Sequence, residues 1–301
     1  MKEVEGYVPY AGYKTWYRSV GEEDQGKLPL LVLHGGPGAA HYYLQTLDGI
    51  ARNYGRQVIY YDQMSCGNSK TPPLPDKWSE RFFLDELATV RRELGLDRCH
   101  ILGQSWGGML AMMYAIGEPW HGNGHEGVES MVVASSPADM DLWEREARRL
   151  RSYLPREMQK ALEQADEDGD YERKEVKEAS AEYYRRHVSL IPENERPDGL
   201  HNPGPDPVGD ECYHFMQGMS EFVVTGHLKG WSIVDQLGQI DIPTLVTSGG
   251  ADECTPVIAK QVADGIPNAR WELFEGGTHW VHGEQSERYN ALVEEFLEEN
   301  E

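Results

Sequence analysis

The hydrophobic positions of this chain form short, unbroken runs of aliphatic and β-branched residues. Each run is bounded by Gly, Pro or charged residues, which is typical of strands buried on both faces of a parallel sheet. Six such runs predict strands at Leu30–Leu33, Val58–Tyr61, His100–Leu102, Ser130–Ala134, Thr244–Thr247 and Trp271–Phe274.

Segments with helical periodicity lie between several of these strands. They predict helices at Arg81–Leu94, Met109–Ile116, Val257–Ile266 and Tyr289–Leu297. Because strand and helix alternate, we expect an α/β protein whose mostly parallel central sheet is covered by helices on both faces.

The alternation stops in the middle of the chain. Asp139–Tyr153 and Tyr171–His187 have the pattern of charged amphipathic helices, and Ile191–Gly209 is rich in Pro, Asn and Gly. This change indicates a helical cap inserted into the sheet domain. The expected division is a core of residues 1–136 and 231–301 with a cap of residues 137–230.

The charge balance limits the kinds of partner. The 301 residues include 28 Lys and Arg against 51 Asp and Glu, a formal net charge of −23. Such an acidic surface keeps a protein hydrated and makes nucleic acid or an anionic membrane an improbable partner. Residues Met1–Val20 lack the basic start and apolar run of a secretory signal, and no apolar run is long enough for a membrane span.

Four cysteines, Cys66, Cys99, Cys212 and Cys254, are scattered along the chain. They form no C-x-x-C pair and have no spacing to histidines that would indicate a zinc site. We therefore expect reduced thiols, a cytoplasmic protein and no metal. Cys254 lies near a candidate site residue, but a structural role fits it better than a nucleophilic one.

One serine stands in a sequence context that indicates a nucleophile. Gly103-Gln-Ser105-Trp-Gly107 follows a predicted strand directly and precedes a predicted helix. In a G-x-S-x-G turn of this kind, the serine hydroxyl projects above the sheet and the glycines avoid collisions with strand and helix. The pattern is short, so an ordinary strand-to-helix turn is the alternative.

A glycine-rich loop, His34-Gly-Gly-Pro-Gly38, follows an earlier strand. Its backbone can come close to a reacting carbonyl, and we assign the N–H groups of Gly36 and Trp106 to an oxyanion hole. The loop lacks the lysine of a P-loop and the spacing of a dinucleotide fingerprint, which weakens the alternative of a phosphate site.

A serine hydroxyl needs a base to take its proton and an acid to orient that base. Asp252 and His279 each follow a late predicted strand, so the chain order is serine, acid, histidine. That order predicts a serine hydrolase of the α/β-hydrolase fold, with its site at the carboxyl edge of the sheet. His282 is the rival base, and Glu253 is the rival orienting acid.

Further motifs make the chain resemble the proline iminopeptidase family, which includes the archaeal tricorn-interacting aminopeptidase. The matching segments are His34–Gly38, Tyr61–Gln63 with Cys66, Gly67 and Ser69, Gly103–Gly108, Ser220–Gly226 with Lys229 and Trp231, Gly250–Glu253 and Gly277–His279. They cover almost the whole chain in order. One departure is Ser65, where the family more often has glycine, and it puts the conformation of that loop in question.

The resemblance implies a serine aminopeptidase without cofactor. Such an enzyme releases the N-terminal residue, proline or another and often hydrophobic, from short peptides. By family analogy, Glu221 and Glu253 would hold the free α-ammonium group. An amino-acid amidase or esterase with the same triad, an accessory subunit docking on a larger protease, and a catalytically silent binding module are the alternatives. An epoxide hydrolase or dehalogenase would usually need Asp where Ser105 stands.

Overall fold

The fold is built on one eight-stranded sheet with the strand order β1-β2-β4-β3-β5-β6-β7-β8. The structure is a computed structural model, and it describes residues 1–23, 26–122, 125–196, 200 and 204–301. The strands are β1 (Glu3–Tyr10), β2 (Tyr13–Val20), β3 (Leu30–Leu33), β4 (Val58–Tyr61), β5 (Cys99–Gln104), β6 (Val128–Ala134), β7 (Thr244–Gly249) and β8 (Arg270–Phe274).

Strands β3 to β8 pair in parallel, which confirms the predicted sheet. All six predicted strands are present, and β3 and β4 have the predicted bounds. Leu31 and Leu33 point to one face of the sheet and Leu30 and Val32 to the other, and all four are buried. Burial on both faces is why these strands show no polar alternation.

An N-terminal hairpin extends the sheet beyond what the sequence pattern predicted. Strands β1 and β2 pair antiparallel, and β2 pairs antiparallel with β4. The hairpin turns at Ala11 and Gly12, whose φ angles are +49° and +87°. Two consecutive positive φ values fit a tight hairpin turn that follows the twist of the strands. Strand β1 is an edge strand with mostly exposed side chains, so it has no apolar run to indicate it.

Ten α-helices surround this sheet in the described part of the chain. They are α1 (Asp48–Tyr54), α2 (Glu80–Glu93), α3 (Trp106–Ile116), α4 (Met140–Arg151), α5 (Arg156–Asp168), α6 (Lys174–His187), α7 (Pro207–Met216), α8 (Pro256–Gly265), α9 (Val281–Glu284) and α10 (Ser286–Glu298). Helices α2, α3 and α8 contribute to the core on one sheet face, and α1 and α10 to the core on the other. Short 3-10 helices lie at His41–Leu47, Glu193–Glu195 and Val234–Gln239.

Helices α4 to α7 lie between β6 and β7, within the segment where the alternation stops. Helices α4, α5 and α6 share a small core of their own, which includes Leu150, Leu162 and Tyr183. The sequence pattern missed α5 and α7, and α6 begins at Lys174, not at Tyr171. The Pro-rich segment Ile191–Gly209 falls partly outside the described residues, and its end belongs to α7. The cap boundaries at 137 and 230 stay a prediction.

No helix in the ranges the structure describes combines the length and the apolar character needed to cross a bilayer.

Candidate active site

Ser105 lies on the turn between β5 and α3, at the carboxyl edge of the sheet. Its φ and ψ are +55° and −123°, a conformation that costs free energy for any residue other than glycine. The turn is closed so tightly that a Cβ at Gly103 would lie 2.2 Å from the carbonyl oxygen of Gly107, and a Cβ at Gly107 would lie 2.1 Å from that of Leu33. The two glycines therefore avoid the collisions that the sequence motif predicted, and they allow the strained serine conformation.

His279 and Asp252 meet beside this turn. The Nδ1 atom of His279 lies 2.8 Å from the Oδ1 atom of Asp252, and both side chains are buried. Asp252 follows β7 and His279 follows β8, so neighbouring parallel strands bring the two residues to one edge. An imidazole held at Nδ1 by a carboxylate presents its Nε2 atom as the proton acceptor.

Asp252 is itself held by three donors. Its Oδ2 atom accepts hydrogen bonds from Ser135 Oγ at 2.6 Å and from the Gly249 N–H at 3.3 Å. Its Oδ1 atom accepts one from the Cys254 N–H at 2.7 Å. No motif in the sequence indicates Ser135, which follows β6 directly and has φ +48°. Only its position after a buried strand could have indicated it.

The rival residues are placed differently. His282 is buried in α9, where burial lowers its pKa to about 3 and Nδ1 lies 3.3 Å from Thr46 Oγ1. Glu253 does not contact the Nδ1 side of His279, since its Oε1 atom lies 3.7 Å from Nε2. Cys254 is buried, and burial raises the pKa of its thiol. The geometry thus favours His279 and Asp252 over these alternatives.

Strong electrostatic effects act on His279. Burial lowers its pKa, but the charges of Asp252 and Glu253 and the hydrogen bond to Asp252 outweigh burial and raise the pKa to about 9. The imidazole is therefore readily protonated in the free protein. A cation entering the cavity would offset the carboxylate charges and favour the neutral imidazole that a general base requires.

The candidate oxyanion donors are near the same turn. Gly36, with φ +111°, and Trp106, the first residue of α3, both border the cavity that contains Ser105. The N–H groups in the first turn of a helix have no partner within the helix, so the Trp106 N–H is available to a ligand. Next to Gly36, the Gly35 N–H donates to Tyr43 Oη at 2.8 Å, which fixes the loop against the core.

Gln63 links the glycine loop to Trp106. Its Nε2 atom donates to the carbonyl oxygen of His34 at 2.9 Å, and its Oε1 atom accepts from Trp106 Nε1 at 2.9 Å. Its own N–H donates to His34 Nε2 at 2.8 Å. A single buried side chain therefore joins both segments to which the oxyanion donors are assigned.

Ser65, the one departure from the family pattern, takes a left-handed conformation with φ +76°. This backbone geometry explains why glycine is the common residue there. In this chain the Ser65 Oγ atom accepts a hydrogen bond from Trp78 Nε1 at 3.1 Å and lies 2.8 Å from Thr71 Oγ1. Side-chain bonds that glycine could not make thus accompany the strained backbone.

Two carboxylates border the cavity from the sides of the cap and the sheet. Tyr213 Oη donates to Glu221 Oε1 at 2.5 Å. Glu253 is 5% exposed, and its Oε2 atom has no hydrogen-bond partner within the described residues. Burial raises the pKa of both side chains, and the charge of Glu221 raises that of Glu253 further. Buried carboxylates of this kind favour a cationic ligand.

The end of α6 holds together the loop of Asp252 and Glu253 and the loop of His279. The carbonyl oxygen of His187 accepts hydrogen bonds from the Glu253 N–H at 3.2 Å and from the His279 N–H at 3.0 Å. The carbonyl oxygen of Val188 accepts one from the Trp280 N–H at 3.0 Å. These are backbone contacts, so no side-chain pattern in the sequence could have indicated them.

The cavity has a volume of about 840 Å³, large enough for a short peptide. Six of the seven predicted site residues line it: Gly36, Ser105, Trp106, Glu221, Glu253 and His279. The seventh, Asp252, lies behind His279. The arrangement is that of a serine hydrolase with a pair of acids at one end of its cavity.

Known proteins are similar to this chain in sequence and in fold. The family model described as alpha/beta hydrolase fold matches residues 29–171. A proline iminopeptidase from Clostridium botulinum is 44% identical over 301 residues, covering 100% of both chains. The chain belongs to the proline iminopeptidase family. A second family member, the proline iminopeptidase of Clostridioides difficile, is 43% identical and also covers both chains fully.

Solved structures agree with this membership in the proline iminopeptidase family. The crystal structure of proline iminopeptidase from Mycobacterium smegmatis superposes with a TM-score of 0.83 at 37% identity, covering 99% of this chain and 98% of that one. The crystal structure of VinJ superposes with a TM-score of 0.87 at 34% identity, covering 99% of each chain. The predicted α/β-hydrolase fold and serine aminopeptidase class are thereby confirmed.

Proposed function

We propose that the protein releases the N-terminal residue, proline foremost, from short peptides through an acyl-enzyme on Ser105. The observation that carries this proposal is the position of Glu221 and Glu253, two buried carboxylates in the same cavity as Ser105 and His279. A plain esterase has no need for them, whereas an aminopeptidase must recognise a free amine. The printed names of the relatives support proline as the released residue.

Two carboxylates suit the amine of an N-terminal proline. A prolyl ammonium has two N–H donors, so Glu221 and Glu253 would accept one each. Charge-assisted hydrogen bonds of this kind are stronger than neutral ones, and the buried site excludes competing water. The amine would thereby fix the prolyl carbonyl next to Ser105.

In the proposed first step, Ser105 Oγ attacks the carbonyl carbon of the N-terminal residue while His279 Nε2 takes the hydroxyl proton. Asp252 stabilises the imidazolium that forms. The N–H groups of Gly36 and Trp106 would donate to the oxyanion of the tetrahedral intermediate. His279 then returns the proton to the departing amine, and the C–N bond breaks.

The second step would regenerate the enzyme. His279 accepts a proton from a water molecule, the water oxygen attacks the acyl carbon, and the bond to Ser105 Oγ breaks as His279 gives the proton back. The amino acid leaves with a free carboxylate. All proton transfers use His279, and the step needs neither metal nor organic cofactor.

The proposal is tested with aminoacyl-arylamides of Pro, Ala, Leu and Phe, each with its N-acetyl counterpart. We expect turnover of the free amines, fastest with proline, and loss of turnover after acetylation, because the acetyl group removes the charge that Glu221 and Glu253 bind. Tyr153→Phe, an exposed change outside the cavity, should give the same rates as the wild type on each of these substrates. Equal rates with and without the acetyl group would refute the amine site.

We also propose a cytoplasmic location, as the sequence predicted. Cys66, Cys99, Cys212 and Cys254 are all free and buried, and such thiols persist in a reducing compartment. Docking on a larger protease stays a prediction from the family resemblance, and co-elution of the two proteins at a shifted size would test it.

A further inference from the structure

The cavity has a cation whose charge the structure leaves unbalanced. Arg196 lines it, and its guanidinium carbon lies 4.8 Å from the ring centroid of Trp280. Within the described residues, its guanidinium makes one hydrogen bond, a long contact of 3.4 Å from Nε to the Ile191 carbonyl oxygen. Arg196 forms no ion pair with any carboxylate in the described ranges, although the chain contains 51 Asp and Glu. Most of the guanidinium donors therefore have no partner in the part of the chain that the structure describes.

The ring under Arg196 connects it to the catalytic residues. Trp280 follows His279 directly, and it stacks on Tyr43 with ring centroids 5.2 Å apart. Tyr43 in turn donates to Gln104 Oε1 at 2.5 Å, and Gln104 precedes Ser105. Arg196 thus lies on a wall formed by Trp280 and Tyr43, next to the glycine loop.

Glu221 is held by a different aromatic residue of the cavity. Glu221 is joined through its carbonyl oxygen to Trp143 Nε1 at 3.1 Å, and the Trp143 ring packs edge-on against His279 at a centroid distance of 6.3 Å. A short peptide whose N-terminal amine binds Glu221 and Glu253 would lie in the cavity that Arg196 also lines. Its remaining charged group is the C-terminal carboxylate.

We propose that Arg196 binds the C-terminal carboxylate of short peptide substrates, on the leaving-group side of Ser105. This inference rests on the proposed function. A guanidinium presents a planar fork of N–H donors that matches a carboxylate, and stacking on an aromatic ring holds the fork in place. Lys70, an exposed side chain that lines the same cavity, adds a second positive charge.

The net charge of the protein makes a local cation necessary. A chain with a formal charge of −23 repels a peptide carboxylate at long range. Glu193 and Asp210 also line the cavity and add to this repulsion. Asp206, another acid of the cavity lining, already accepts hydrogen bonds from the Gly67 N–H at 2.6 Å and the Gly209 N–H at 3.4 Å. Recognition of a free carboxyl terminus therefore depends on the short-range donors of Arg196.

The test compares three substrates that share an N-terminal proline: Pro-Gly-Gly as the free acid, Pro-Gly-Gly amide, and a prolyl arylamide. For the wild type we expect a lower KM for the free acid than for the amide. In Arg196→Ala, KM for the free acid should rise about tenfold, the loss typical of one charge-assisted contact, whereas kcat/KM for the other two should stay within about twofold. The KM of Arg196→Lys for the free acid should lie between those of the wild type and Arg196→Ala, because lysine keeps the charge but lacks the planar fork of donors.

Arg156→Ala is the matched control, since Arg156 is exposed on α5, away from the cavity, and its loss changes the net charge equally. Equal wild-type KM for acid and amide, or an equal loss on all three substrates in Arg196→Ala, would overturn the inference. Turnover of the prolyl arylamide would still support the proposed function in that case. A wild type that leaves the arylamide intact would refute the proposed function, and the inference with it.

Discussion

His279 is the residue whose chemistry depends most on its surroundings. It lies between two carboxylates, with Asp252 at its Nδ1 atom and Glu253 3.7 Å from its Nε2 atom. Their charges outweigh burial and give it a pKa of about 9. A general base must be unprotonated, so the reactivity of Ser105 should fall as the pH falls below that pKa.

Glu253→Gln should therefore change the pH dependence in a definite direction. The substitution removes a negative charge that raises the pKa of His279, so the imidazole stays neutral to lower pH. The acid limb of the pH profile, where reactivity falls as the pH falls, should therefore move to lower pH. The inactivation rate by a fluorophosphonate, measured against pH, reports this limb without a titrating substrate amine.

Glu193→Gln is the control, because it removes the same charge from the same cavity at a residue that is not among the main contributors to the raised pKa of His279. An acid limb in Glu253→Gln that stays in place, or that moves to higher pH, would contradict this account of the histidine.

The candidate triad could be found from sequence because each member follows a buried strand at a fixed kind of turn. The groups around the triad could not. Ser135 holds Asp252, and the carbonyl oxygen of His187 holds both catalytic loops, through contacts between segments far apart in the chain. Such contacts depend on how the helices between β6 and β7 pack onto the sheet, and periodicity carries no information about that packing.

At the scale of elements, α10 is joined to the amino ends of the central strands, opposite the active site. Arg56, which is fully buried, donates from Nε to Glu294 Oε2 at 2.7 Å and from Nη2 to Glu294 Oε1 at 3.1 Å. Its Nη1 atom donates to the Leu28 carbonyl oxygen at 2.7 Å. The pair joins α10 to the segments that lead into β3 and β4.

Glu294→Ala should lower the free energy of unfolding by about 3 kcal/mol, because it leaves the buried Nε and Nη2 donors of Arg56 without partners. Glu301, 2.8 Å from Nη1 and partly exposed, stays as the remaining counter-charge. Urea denaturation measures this loss. The kcat of the folded variant should be unchanged, since Glu294 lies far from Ser105 along the strands.

Glu298→Ala provides the comparison on the same helix. Glu298 pairs with Lys27 at 2.6 Å but is 54% exposed, so its loss should cost less than about 1 kcal/mol. Similar losses in the two variants would contradict the account of Arg56.

The elements differ in how well sequence predicted them, for physical reasons. Strands β3 and β4 are buried on both faces and appear as unbroken apolar runs. The mostly exposed β1 has no such run. Helix α7 begins at Pro207 and includes Gly209, residues that usually indicate a loop, although proline is well suited to the first turn of a helix.

At the scale of the whole molecule, the parallel sheet brings together residues that are far apart in sequence. Ser105, Asp252 and His279 follow β5, β7 and β8, and the carboxyl ends of these strands lie at one edge. The segment between β6 and β7 covers this edge with its helices, and its loop after α7 contributes Glu221 to the cavity. The proposed amine site thus depends on this inserted segment as well as on the sheet, because Glu253 follows β7 and Glu221 comes from the insertion.

The central claim, that Ser105 is the nucleophile, is tested most directly by covalent labelling combined with turnover. A fluorophosphonate should add once per chain on the peptide that contains Ser105, with activity lost in proportion to labelling. Ser105→Ala should unfold at the same temperature as the wild type, take up no label, and hydrolyse prolyl arylamide slower by about 10⁴-fold or more. Turnover by Ser105→Ala within about tenfold of the wild type, or a label on another residue, would contradict the account.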